Sequence, residues 1–390
     1  MSYRFSQRTG WDLGESAFAA AIREARAAGR ELIDLTVSNP TLCRFEYEAE
    51  AILQPLSDVS ALTYDPDPRG MRSAREAVAE YYDDHGATVD PDAVVLTTST
   101  SEGYGYLFRL LCDSGDEVLV AQPSYPLFDF LADLEDVGLK NYPLFYDHGW
   151  WIDFAELEKR IGSRTKAIVV VNPNNPTGHA TGIAERQKLE QICLRRRLAL
   201  IVDEVFLDYP LAEERLTSFA MGPHPVLTFC LSGMSKIAGL PQMKVGWIVG
   251  FGPEQARSEA MGRLEVIADT FLSMNAPVQG ALPRWLAGRK GIQSQILERV
   301  RGNLDFARRR GVEVLQVEAG WSAILRLPQI GEADLADRLL RNSQVVVHPG
   351  SFYGIPELGR VVISLLGPED DFREGLERIV HGRNLNHGSY

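Results

Sequence analysis

Between residues 94 and 250 short apolar runs rich in β-formers alternate with longer segments of helical periodicity, and few architectures accept that pattern. The runs fall at 94–98, 117–121, 167–171, 199–203, 226–231 and 245–249. Between them, 101–111 and 184–197 carry apolar residues at three- and four-residue spacing with polar residues opposite. The alternation predicts an α/β fold, with a largely parallel sheet and crossover helices on both faces.

At 390 residues the chain exceeds what one hydrophobic core usually fills. A large domain over 46–275 is expected to hold the sheet, with a smaller α+β domain built from 1–45 and 276–390. Beyond Gly250 the pattern turns to helix around 254–266, breaks at 274–277, resumes to about 310, and then gives short strands and a final helix. The segment up to about residue 40 is expected to pack with that C-terminal lobe.

Forty Lys plus Arg against 53 Asp plus Glu leave a net charge of −13, so the average surface repels nucleic acid and anionic membrane. An anionic ligand therefore needs a local pocket. Cys43, Cys112, Cys193 and Cys230 are far apart and lack paired or metal-type spacing, which suits buried thiols in a reducing compartment. The first ten residues lack an apolar signal core and no run reaches bilayer-spanning length, so a cytoplasmic protein is expected. The seven histidines are scattered, no metal-ligand cluster is visible, and His179 reads as a polar loop residue. No Gly-x-Gly-x-x-Gly string opens a helix after a strand, which sets dinucleotide binding aside.

In an open parallel sheet the ligand lies outside the carboxyl ends of the strands, and unusual residues cluster there. Lys236, in Ser-Gly-Met-Ser-Lys after the run 226–231, is either a surface lysine or a desolvated amine able to condense with an aldehyde. Asp203 ends another strand as a helix cap, a salt-bridge partner, or a carboxylate waiting for a cation such as a protonated ring nitrogen. Asn172-Pro-Asn-Asn-Pro-Thr-Gly178 is rarer: two prolines and three turn formers preset a rigid loop that presents an amide from a strand end.

That loop, Asp203 about 30 residues on, Ser235-Lys236 about 30 further, and Arg360 near the end together resemble the class I/II pyridoxal-phosphate aminotransferases of fold type I. The resemblance runs from about residue 35 to 366. It implies pyridoxal 5'-phosphate as cofactor, with Lys236 as the internal-aldimine lysine and proton shuttle. Asp203 would pair with the pyridinium nitrogen and keep it protonated, so that the ring can absorb an electron pair. Asn175 would donate to the ring hydroxyl oxygen and also contact the substrate, and Tyr125 would stack on the ring unless it serves core packing. Thr100, Ser101, Ser235 and Lys244 would hold the phosphate, together with Tyr64 of the neighbouring subunit in a homodimer. Arg360 would bind the substrate α-carboxylate through its planar fork, and Asn39 would also touch substrate.

Four positions depart from the family pattern. Phe206 stands where a tyrosine usually donates to the ring oxygen, and its loss is expected to raise the aldimine pKa. Lys244 replaces an arginine, Gly233 replaces a serine, and Ser38 replaces a glycine. The segment 270–275 lacks the arginine that the aspartate-type branch uses for a distal carboxylate. Phe271, Met274 and Trp321 are expected to line an apolar pocket instead. The expected reaction is transfer of the α-amino group of a neutral or aromatic amino acid to a 2-oxo acid. A carbon–sulfur lyase on the same scaffold is the alternative, and a catalytically idle binding protein is the reading from another class.

Overall fold

The computed structural model describes residues 3–212, 216–328 and 335–384, the side chains of 382–384 excepted. In chain order the strands are β1 (Ile33–Asp34), β2 (Val94–Thr97), β3 (Glu117–Gln122), β4 (Gly138–Tyr146), β5 (Trp150–Ile152), β6 (Thr165–Val171) and β7 (Ala199–Asp203). They continue with β8 (Thr228–Gly233), β9 (Gly246–Phe251), β10 (Glu313–Val314), β11 (Ser322–Arg326), β12 (Val345–Val346), β13 (His348–Pro349) and β14 (Arg360–Ser364). Eight of them form one sheet in the order β2-β9-β8-β7-β6-β3-β4-β5. From β8 to β4 the neighbours are parallel, while β9 runs antiparallel to both β2 and β8.

All six expected runs are strands of this sheet. Strands β4 and β5 were not among them: β4 carries Pro143 and mostly half-exposed side chains, so it lacks the continuous apolar run that marks a strand buried on both faces. The central strands show why the others are legible. Leu200 and Val202 of β7 pack into one helical layer, and Ala199 and Ile201 into the layer on the opposite face. All five residues of β7 are buried, and truncating Ile201 to Ala is expected to cost about 2–5 kcal/mol.

A second core gathers Leu35, Phe206, Tyr209, Trp321, Leu325, Ile363 and Phe372. Its sheet is β10-β11-β14-β13, all antiparallel, and a parallel β1–β12 pair ties the N-terminal segment to this lobe. The 34-residue helix Ala276–Arg309 spans both cores, giving Leu282 and Trp285 to the first and Ile296, Val300 and Leu304 to the second. It begins where the sequence breaks. Leu272 turns left-handed at φ 46°, ending the helix Glu254–Phe271, and the Asn275 side chain accepts from the Val278 N–H to cap the next.

Candidate active site

The carboxyl ends of β6, β7 and β8 open into a cavity of about 310 Å³ whose far wall comes from β11, β13 and β14. Lys236 lies in the single helical turn Met234–Ile237 that follows β8. Its backbone is fixed on both sides: the Tyr209 hydroxyl donates to the Lys236 carbonyl at 2.5 Å, and the Gln293 amide donates to the Ile237 carbonyl at 2.8 Å. The Nζ then sits 5.0 Å from the Trp321 ring centre and 5.6 Å from that of Phe206. Burial pushes this ammonium down to about 8, with the charge of Asp203 opposing the shift.

Asp203 closes the floor and is 8% exposed. Its Oδ2 accepts from the Tyr104 hydroxyl at 3.1 Å and its Oδ1 from the Val205 N–H at 3.1 Å. Burial raises the carboxyl to about 6 despite those two donors. A carboxylate held there gains from any cationic N–H placed in the cavity.

At one end of the cavity the helix Thr100–Leu111 presents its N-terminus, capped by Ser99, whose Oγ accepts from the Glu102 N–H at 3.1 Å. Thr100, Ser101, Ser235 and Lys244 line the same cavity. The start of β9 comes so close that a Cβ on Gly246 would lie 2.8 Å from the Ser99 carbonyl carbon and 3.0 Å from the Thr100 nitrogen. Gly233 is similarly required, since a Cβ there would meet the Val245 carbonyl oxygen at 2.7 Å. Helix N–H groups, hydroxyls and an ammonium suit a phosphate; the Asp203 carboxylate suits a ring N–H, and the Lys236 amine suits an aldehyde. The residues present fit pyridoxal phosphate.

Asn175 also lines the cavity, and its Oδ1 accepts from the Ser322 hydroxyl at 3.3 Å, leaving the Nδ2 donor for a ligand. The loop that carries it is clamped to the smaller lobe. Gly178, at φ 68°, accepts at its carbonyl from the N–H groups of Glu318 and Ala319 at 3.2 and 3.1 Å, and a Cβ there would strike Val317 at 2.3 Å. His179 is 6% exposed, with its ring nitrogens 3.0 Å from Glu185 and 3.4 Å from Glu318. The expectation of an ordinary polar loop residue is thus corrected: His179 is a buried ionic link between the loop, the helix after it and the second core. Tyr125 and Ser38 are on the cavity wall, with Phe206 and Trp321 packed edge to face at 5.4 Å.

Two expected substrate residues lie elsewhere. Asn39 turns its Oδ1 to the Thr41 N–H and hydroxyl at 3.1 and 2.8 Å, capping the turn Pro40–Leu42, and leaves the cavity rim to Thr36 and Ser38. Arg360 stands opposite Arg326 in the β11–β14 register, with its Nη1 donating to the Leu358 carbonyl at 3.4 Å, and does not line the cavity. Alternate residues of a strand share a face, so Arg360, Val362 and Ser364 point the same way, and of these three the latter two line the cavity. Two residues of strand set the Arg360 backbone about 6.7 Å back from that of Val362.

Of the three expected apolar lining residues only Trp321 is in place. Phe271 stacks on Tyr106 at 5.6 Å, and Met274 lines a separate cleft that also contains Tyr64. Tyr64 is 80% exposed and does not line the cavity of its own chain. Sequence reasoning missed Tyr104, Ser322, His348, Tyr353 and Val362, all on the wall. Tyr104 had a faint signal as a tyrosine one turn into the helix that opens at the strand end, a position equally suited to the core. Among the described residues no cluster of metal-ligating side chains occurs, and no helix is long and apolar enough to cross a membrane.

The chain is similar over most of its length to several known proteins. The family model of aminotransferase class I and II matches residues 30–379. An alanine aminotransferase of Mycobacterium tuberculosis is 28% identical over 370 residues, covering 90% of this chain and 86% of its own. The glutamate-pyruvate aminotransferase AlaA of Escherichia coli is 27% identical over 297 residues, covering 76% and 73%. Among solved structures, an alanine aminotransferase from Pyrococcus furiosus superposes with a TM-score of 0.88 at 24% identity, covering 98% of this chain and all of its own (100%).

Proposed function

The chain belongs to the class I and II aminotransferases, which use pyridoxal phosphate, and from that premise we propose that it carries the α-amino group of a neutral or aromatic amino acid to a 2-oxo acid, with Lys236 as the reacting amine. The observation that carries this reading is Lys236 and Asp203 in one cavity, an amine pushed down to about 8 beside a carboxyl raised to about 6. When bound, the cofactor supplies an aldehyde that condenses with amines and a ring that takes up the electron pair released at the substrate Cα.

The chain's own groups do the rest. Lys236, neutral in a useful fraction near pH 8, would serve as the base that takes the proton from the substrate Cα and as the acid that gives it back. Asp203 would hold a proton on the ring nitrogen, and the Tyr104 hydroxyl keeps that carboxylate aimed. Asn175 would donate from Nδ2 to the ring oxygen without help from position 206, which is Phe206. Thr100, Ser101, Ser235 and Lys244 would hold the phosphate, and Tyr125 would cover the ring. Leu127, Phe128, Leu131 and Trp321 make the wall apolar and exclude water, which favours a neutral or aromatic side chain.

The exposed Tyr64 supports a homodimer in which Tyr64 of the partner subunit completes the phosphate site. Four unpaired cysteines suit a reducing, cytoplasmic setting. The reading is tested by loading the protein with pyridoxal phosphate and adding single amino acids. Conversion of the cofactor to its amine form, reversed by a 2-oxo acid, is the expected result; release of ammonia with a 2-oxo acid in a single step indicates a lyase.

A further inference from the structure

The charged side chains lining the cavity are Asp203, Lys236 and Lys244 among the described residues, with no guanidinium. The two lysines belong to the cofactor end on the reading above. The opposite wall, β13 and β14, offers Val362 and Ser364 on one strand and His348 on the other, with His348 directly across from Val362 in register. A carboxylate taken out of water there needs a cation or charge-assisted donors.

We propose that His348 binds the carboxylate of the substrate, with the Asn175 amide and the Ser364 hydroxyl as its neutral companions; this rests on the aminotransferase reading of the cavity. The His348 ring is held in place by stacking on Phe352 at 5.3 Å, with planes 10° apart, and by an edge contact to Tyr353 at 5.8 Å. Its nitrogens make no hydrogen bond to a described residue, so one is free to donate. Burial keeps the imidazole below its ordinary range, and Asp34 on β1 is the charged group whose field opposes this. Tyr353 faces it from the turn after β13, and the helix Leu335–Arg338, bearing Asp337 and Arg338, packs against the same strand. Asp337 is already engaged by Arg341 at 2.7 Å. An arriving carboxylate therefore supplies the counter-charge the ring lacks, and binding is expected to favour the imidazolium.

The test uses the cofactor-loaded protein and follows the donor half-reaction by absorbance with L-alanine, L-phenylalanine and their carboxamides. The wild type is expected to half-saturate with an acid at a concentration at least about tenfold below that for its amide, and His348→Ala to raise the value for the acid about tenfold while leaving the amide within about twofold, as loss of one charged hydrogen bond implies. His348→Gln, which keeps a donor, is expected to fall between them, and it carries the test if the alanine variant loses the cofactor bands. An unchanged acid-to-amide ratio in both variants, or a wild type that prefers amides, overturns the proposal. A loaded wild type that reacts with no donor overturns the aminotransferase reading as well, which distinguishes the two failures.

Discussion

Arg360 and Val362 sit two residues apart on the same face of one strand, and it is Val362 that reaches the cavity. Arg360 lies beside Arg326 at the strand's start, where burial and that like charge lower its pKa. Arg360→Ala is therefore expected to leave donor half-saturation and rate within about twofold of wild type, the range of a charge outside the site. A tenfold rise in half-saturation for amino acids alone would return Arg360 to the substrate.

Lys236 must be neutral to attack an aldehyde. With its pKa pushed down to about 8, the rate of cofactor loading is expected to rise with pH and level off above that value. An ordinary lysine would keep the rate climbing toward pH 10 or so. Stopped-flow absorbance across pH 6–10 or so distinguishes the two.

Asp203→Asn keeps the shape and removes the charge that holds a proton on the ring nitrogen. Its turnover is expected to fall by at least about 100-fold while the phosphate end still binds cofactor, as for loss of a positioned charge in a dry site. Equal turnover in the two proteins would show that the ring nitrogen is not protonated by this carboxylate.

Phe206→Tyr adds a hydroxyl against Trp321, next to the Lys236 amine. A hydrogen bond to an anionic ring oxygen is worth about 1.5–3 kcal/mol, so the pH midpoint of the visible cofactor band is expected to fall by about one to two units. An unmoved midpoint would place the new hydroxyl away from the ring oxygen.

His179 gives a stability prediction. Burial works against its charged form, but the Glu185 and Glu318 carboxylates outweigh burial and raise it to about 9. A folded-state pKa above the unfolded value means that the stabilisation is complete below about pH 6.5 and disappears as pH rises through 9. Up to about 3 kcal/mol is at stake. The wild-type Tm is expected to fall over that window, and His179→Asn to flatten the fall; parallel curves would contradict the ionic link.

Six of the eight strands of the large sheet were legible because both faces of each central strand are buried, which writes an unbroken apolar run. The motif residues were legible because rigid loops and strand ends demand unusual composition, as in the Asn-Pro loop. Substrate contacts were less so. Arg360 and Val362 share parity, and nothing in a strand's own alternation says which of two same-face residues stands over a cavity; that is set by pairing with β11 and β13. Asn39 was misplaced because a side chain that caps a turn and one that faces a ligand look alike in sequence. His348 was missed because its function depends on the empty space beside it.

On the proposed function, Lys236 is the residue that reacts with the cofactor. Absorbance of the protein titrated with pyridoxal phosphate, then with an amino acid, then with a 2-oxo acid, tests it directly when run beside Lys236→Ala. Visible bands that amino acid removes and oxo acid restores are expected for the wild type, and neither for the variant. Normal turnover by the variant, or a wild type that takes up the cofactor without reaction at any lysine, would contradict it.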